Sequence, residues 1–139
     1  MPPSDADYSG DTPPGQDLAV LAEGLYLANL MLIPGIAFVW LVLLYRRMTP
    51  DTPALAVAHL RQTLFATLWG GVMLVVVNLI IIALGGWDGP YTWVVVILYF
   101  TLCHSCLILF GMMGLAKALA GRCWRFPLVG RPLPDGCDG

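Results

Sequence analysis

Charge is scarce in this chain. Of its 139 residues only 12% are charged, seven basic and nine acidic, for a net charge of −2. An average soluble domain carries about 25%. Seven Lys and Arg leave no basic footprint for a nucleic-acid backbone, so DNA and RNA are excluded as partners. The recognised catalytic signatures are missing too: no nucleophile elbow, phosphate-binding glycine loop, HExxH helix or paired carboxylates. Glu23 is the single acid beside an apolar run, and Asp88 sits among turn residues. General acid–base chemistry needs two placed groups. The sequence brings none together, and the chain reads as a non-enzyme. Basic residues are absent from the first 17 positions, which hold four Asp and four Pro. Residues 1–17 therefore read as an acidic, disordered tail. Without a basic start or a small-residue cleavage site, the first apolar stretch reads as a retained helix rather than a removed signal.

Apolar residues fill the space that charge leaves. They make up 58% of the chain, more than a soluble fold of this size could bury. Charge-free stretches run over Gly24–Tyr45, Gln62–Trp87 and Gly89–Ala116. Each exceeds the roughly 20 residues needed to cross a hydrocarbon core about 30 Å thick. The expected fold is an all-α integral membrane bundle of three transmembrane helices, spanning about residues 24–45, 62–86 and 91–116. These lie in a domain over 18–121, followed by a tail over 122–139.

The basic residues set an orientation. Arg46, Arg47 and Arg61 lie between spans one and two, and Lys117, Arg122, Arg125 and Arg131 follow span three. The positive-inside rule then puts the N-terminus outside and the C-terminus in the cytoplasm. The expected location is a bacterial inner membrane, crossed several times. Trp87, Tyr91 and Trp93 at one border and Tyr45 and Trp124 at the other suit interfacial anchoring.

Pro34-Gly35 interrupts span one. Proline supplies no N–H to the carbonyl four residues back, so Leu30 loses its helical partner and the helix should kink. Spans two and three carry small-xxx-small pairs, Ala66/Gly70 and Gly114/Ala118, which allow close helix–helix contact. His104 falls near the middle of span three. An ionisable residue at that depth is a candidate site. Three roles compete for it: a hydrogen bond within the bundle, to Asn29 or Asn78 for instance; a place on a proton or substrate path; and ligation of a metal, haem or chlorophyll-type pigment. The second histidine, His59, sits at the cytoplasmic border, about half a bilayer away, which disfavours a bis-histidine haem. Cys103 and Cys106 read as small packing residues, not as half of a zinc site. Cytoplasmic Cys123 and Cys137 should be reduced. No metal or other cofactor is expected.

Two local patterns carry a family resemblance. His59-Leu60-Arg61-Gln62 opens span two, followed by Phe65 and Trp69. Ala118-x-x-Gly121-x-x-Trp124-Arg125-Phe126-Pro127-Leu128 closes span three. Together they resemble small bacterial membrane proteins of the Tic-twenty-like group, related to a chloroplast inner-envelope import component. The resemblance implies membrane residence and a helix bundle, and no activity. Read from the residues alone, His59, Arg61, Gln62 and Arg125 lie at the cytoplasmic surface, where they set topology and anchor the helices on lipid phosphates or, as the alternative, form a docking surface for a partner. The functional expectation is a non-catalytic accessory or assembly subunit of a larger inner-membrane complex. It would contact the lipid bilayer and either other membrane subunits or copies of itself. A small oligomeric transport or channel-like protein is the alternative, and a pigment- or haem-binding subunit acting through His104 comes third.

Overall fold

The computed structural model describes residues 12–137. Most of the acidic tail, residues 1–11, lies outside them, while its last residues already belong to the first helix. The elements are α1 (Gln16–Met31), α2 (Ile36–Arg46), α3 (Ala54–Gly71), a π-turn (Val72–Val76), α4 (Val77–Gly85) and α5 (Thr92–Leu119). No strand occurs among the described residues.

Two helices are long and apolar enough to cross a membrane. One is the continuous rod of α3, π-turn and α4, 32 residues from Ala54 to Gly85, and the other is α5, with 28 residues. Only 11% of the most apolar window of each is buried inside the protein, so these are not the core helices of a soluble fold. The rod carries one local defect. At the π-turn the ladder is widened, and the Asn78 amide donates to the Leu74 carbonyl at 2.7 Å. Gly86, with φ +78°, turns the chain from α4 toward α5. The Trp93 indole donates to the Trp87 carbonyl across this turn at 3.0 Å.

The expected crossing helix over residues 24–45 is replaced by a hairpin. Pro34 ends the α1 ladder, and the amides of Leu32 and Ile33 both return to the Ala28 carbonyl at 2.9 Å. Gly35 adopts φ +86°, which an L side chain would strain, and reverses the chain. Its amide donates to Asn29 Oδ1 at 2.8 Å, which ties the tip together. Proline thus makes a turn here, not the expected kink. At 1.5 Å per residue, α1 is about 24 Å long and α2 about 16 Å, each short of the roughly 30 Å that a crossing needs.

The hairpin lies against one half of the two long helices. Gln16 Nε2 donates to the Leu119 carbonyl at 2.6 Å, so α1 begins beside the end of α5. The start of the described chain and the end of α5 therefore share one end of the molecule. This corrects the expectation that the N- and C-terminal sides are opposite. Arg46 and Arg47 close α2 at that same end. The core sits there as well: Ala22, Tyr26, Leu41, Leu60, Ala66 and Phe126 form its buried centre. Phe126 belongs to the tail, so residues 122–137 fold back onto the helices. The Tyr26 and Phe126 rings meet edge to face, 5.4 Å apart.

Cys123 and Cys137 are joined by a disulfide that closes this tail, against the expectation of reduced thiols. Cys103 and Cys106 are free. Alkylation of the denatured protein should therefore label two cysteines before reduction and four after it. Four before reduction would remove the tail's covalent closure.

Candidate functional site

Reversal of the hairpin brings α1 alongside the start of α3 and creates a buried polar pair. Glu23 on α1 and His59 on α3 are both fully buried. His59 Nδ1 lies 2.7 Å from Glu23 Oε1, and Nε2 lies 3.0 Å from the carbonyl of Arg122. A carbonyl only accepts, so Nε2 carries hydrogen and donates to it. One further proton lies between Nδ1 and Oε1. With that proton on either atom the pair as a whole is neutral, which is how two ionisable groups survive burial. Glu23 belongs to neither of the two long apolar helices. Burial pushes its carboxyl above the ordinary value, and the bond to His59 offsets only part of that rise. Oε2 of Glu23 has no hydrogen-bond partner. It lies against Gly114, where an added Cβ would sit 2.5 Å from it.

These observations overturn two expectations. An acid and a base do converge in this chain, although neither reaches an open cavity. His59 is not a surface residue for lipid or partner contact. Gln62, one turn further on, is also buried. Its amide grips the tail by two bonds, donating to the Arg131 carbonyl at 2.6 Å and accepting from the Arg131 amide at 3.1 Å. The Arg131 guanidinium stacks over the Phe65 ring at 3.9 Å. Arg61 is half-buried, and Arg125 is exposed, donating from Nε to the Gly130 carbonyl at 3.3 Å. The His-x-Arg-Gln pattern is therefore mostly an internal clasp between α1, α3 and the tail.

A second polar group sits at the hairpin tip, against the middle of the long helices. His104 Nε2 donates to the Leu30 carbonyl at 3.1 Å. This is the carbonyl that Pro34 leaves without a helical partner. The histidine of α5 completes the broken ladder of α1, in place of the expected bonds to Asn29 or Asn78. Nε2 is thereby occupied, and Nδ1 is the one ring nitrogen left for a ligand. Around the tip lies a cavity of about 300 Å³, lined by Asn29, Thr67, Gly70, Gly71, Phe100 and His104 among others. No Cβ placed at Gly71 or Gly35 would meet an atom within 4 Å.

The packing residues divide. Ala66 is in the core, and Ala118 is fully buried beside Ala19 and Leu55. Gly114 is filled by Glu23 as described. Gly70 is less tight, its nearest neighbour being Leu107 Cδ1 at 3.4 Å from an added Cβ. Gly111, which small-residue spacing did not single out, is the closest crossing of carbon on carbon. A Cβ there would lie 2.6 Å from Tyr26 Cε1 and 2.7 Å from Leu27 Cδ2. The Tyr26 hydroxyl donates to the Leu107 carbonyl at 3.1 Å, one turn before Gly111. Among the described residues, no three His, Cys, Asp or Glu side chains gather closely enough to hold a metal ion. No family model, curated protein or solved structure matches this chain.

Proposed function

We propose that this chain is a non-catalytic accessory or assembly subunit of a larger complex in a bacterial inner membrane. One observation carries the reading. The hairpin clothes only half of the two crossing helices. In the other half, α4 touches nothing beyond the adjoining π-turn and α5. That two-helix arm leaves its apolar outer faces bare, Leu79, Ile80, Leu84, Ile97 and Leu98 among them, and such faces are free to pack against further helices. In this reading α1 and α2 are a re-entrant hairpin that enters and leaves by the same face, with α1 packed on α3 and α5, α2 packed on α1 and α3, and the apolar tip residues Met31, Leu32, Ile33 and Ile36 turned to lipid.

The test is the native mass of the protein extracted in mild detergent from its own membrane. A hetero-complex well above the 15.1 kDa chain is expected. A homo-oligomer would favour the transport alternative, and a monomer would overturn both.

Orientation follows from charge. Every Lys and Arg falls toward the end of the molecule that holds the hairpin base, the first half of α3 (Arg61), the last turn of α5 (Lys117) and the tail, and the positive-inside rule assigns that end to the cytoplasm. The Cys123–Cys137 bond is the one feature that argues for the reverse, since disulfides persist in oxidising compartments. A phosphatase reporter active only outside the cytoplasm should give signal when inserted at Asp88 and none when fused behind the tail. The opposite pattern would invert the molecule and explain the disulfide at once.

A further inference from the structure

The cavity at the hairpin tip goes beyond the subunit reading, because its polar groups are arranged for a ligand. Each has one capacity used internally and another left over. Asn29 Oδ1 accepts from Gly35, while the Asn29 amide NH₂ donates to no described residue. His104 donates from Nε2 to Leu30, which fixes the tautomer of the neutral ring and leaves Nδ1 as a bare acceptor. Thr67 donates its hydroxyl hydrogen to the Thr63 carbonyl at 2.7 Å and shows only lone pairs to the cavity. A donor and an acceptor left unmatched away from water are costly, and an occupant offering the complement of each removes that cost.

The rim defines how an occupant enters. Val75 and Phe100 are 57% and 42% exposed, on the apolar outer surfaces of the two crossing helices. The opening therefore faces the hydrocarbon phase, and the occupant arrives through lipid. A volume of about 300 Å³ is at the lower end for ligand pockets, enough for one ring-sized head and too small for a phospholipid. Phe100 supplies an aromatic wall, its ring 5.2 Å from the His104 ring. A flat head is thus favoured over a branched one.

We propose that this cavity binds the head group of a lipid-soluble quinol, a hydroxylated ring on an apolar tail. One ring hydroxyl donates to His104 Nδ1, and a ring oxygen accepts from the Asn29 amide. The ring lies along Phe100 and the tail leaves through the gap beside Val75. No bond is made or broken, and binding alone is claimed.

Gly71 provides a clean variant. It is helical, its added Cβ would meet nothing within 4 Å, and it lines the cavity without making a side-chain bond. Gly71→Leu should fold at least as well as the parent while filling the space. The probe is a radiolabelled decyl-hydroquinone kept under argon, with protein in phosphatidylcholine nanodiscs and empty nanodiscs subtracted. The parent should show saturable binding at one site per chain. Gly71→Leu should weaken it at least tenfold with an unchanged melting temperature. Asn29→Asp keeps the acceptor for Gly35 and removes the donor, and should weaken binding about tenfold, as for loss of one hydrogen bond. Decylbenzene, which has no hydroxyl, should not saturate. Failure of the parent to bind, unchanged affinity in Gly71→Leu, or equal saturation by decylbenzene would each overturn the proposal.

Discussion

His59→Leu will be among the most destabilising single changes in this protein. It removes the one partner of Glu23 Oε1 while Oε2 already has none, and it frees the Arg122 carbonyl. A buried carboxyl then stands without a single hydrogen bond. Breaking a buried pair from one side costs about 3–5 kcal/mol. For a chain of this size that corresponds to a drop in melting temperature of roughly 10–20 °C. The double variant Glu23→Met/His59→Leu should recover much of the loss, because replacing both partners with apolar groups removes the stranded charge. Methionine is chosen for its unbranched chain, which can follow the path of the glutamate past Gly114. Circular dichroism melts of parent, single and double variants in one detergent give the comparison. If the double variant melts no higher than His59→Leu, the loss belongs to the Arg122 contact and the packing of the ring, and the pair is not what holds α1 to α3.

The two long helices were legible because their signal is local. An uncharged run of more than 20 residues needs no knowledge of the rest of the chain. The structure's Ala54–Gly85 and Thr92–Leu119 differ from the expected spans mainly in extending further at the charged end. The hairpin was not legible in the same way. Gly24–Tyr45 has the length and composition of a crossing helix, and Pro34-Gly35 within it is compatible with a kink or with a full reversal. What decides is tertiary: the Asn29 side chain capping Gly35 and His104 on another helix taking up the Leu30 carbonyl. The sequence did announce that the carbonyl would be orphaned, and it did mark His104 as needing a partner. Matching the one to the other required the fold. The same missed reversal concealed the Glu23–His59 pair. On a straight first helix these residues stand at opposite faces of a membrane. On a hairpin they stand side by side, and Glu23 at the edge of an apolar run becomes a core residue.

That placement also re-ranks the glycines, where the last and sharpest prediction lies. Small-xxx-small spacing treats Gly70 and Gly114 alike. The structure separates them by what a single added carbon would touch. At Gly114 it meets the Glu23 carboxyl at 2.5 Å, and at Gly111 the Tyr26 ring and Leu27, all inside van der Waals contact. Of these three neighbours Glu23 and Tyr26 are pinned, Glu23 by His59 and Tyr26 by the Leu107 carbonyl and Phe126. Gly111→Ala and Gly114→Ala should each cost about 1–3 kcal/mol, the usual penalty of overpacking, despite alanine's better helix propensity. Leucine at either position should lift α1 from α5 and expose the hairpin to protease. At Gly70 the nearest atom is a leucine methyl at 3.4 Å. Gly70→Ala should therefore be neutral or stabilising by up to about 1 kcal/mol, the propensity difference alone. Val75→Leu, on the exposed rim of the same rod, should be silent in the melt. Melting temperatures of these variants, with limited proteolysis of the leucine forms, order the contacts directly. Equal behaviour of Gly70→Ala and Gly111→Ala would mean that α1 does not pack on α5 through that glycine. The hairpin, on which both the buried pair and the tip cavity depend, would then lose its closest point of attachment.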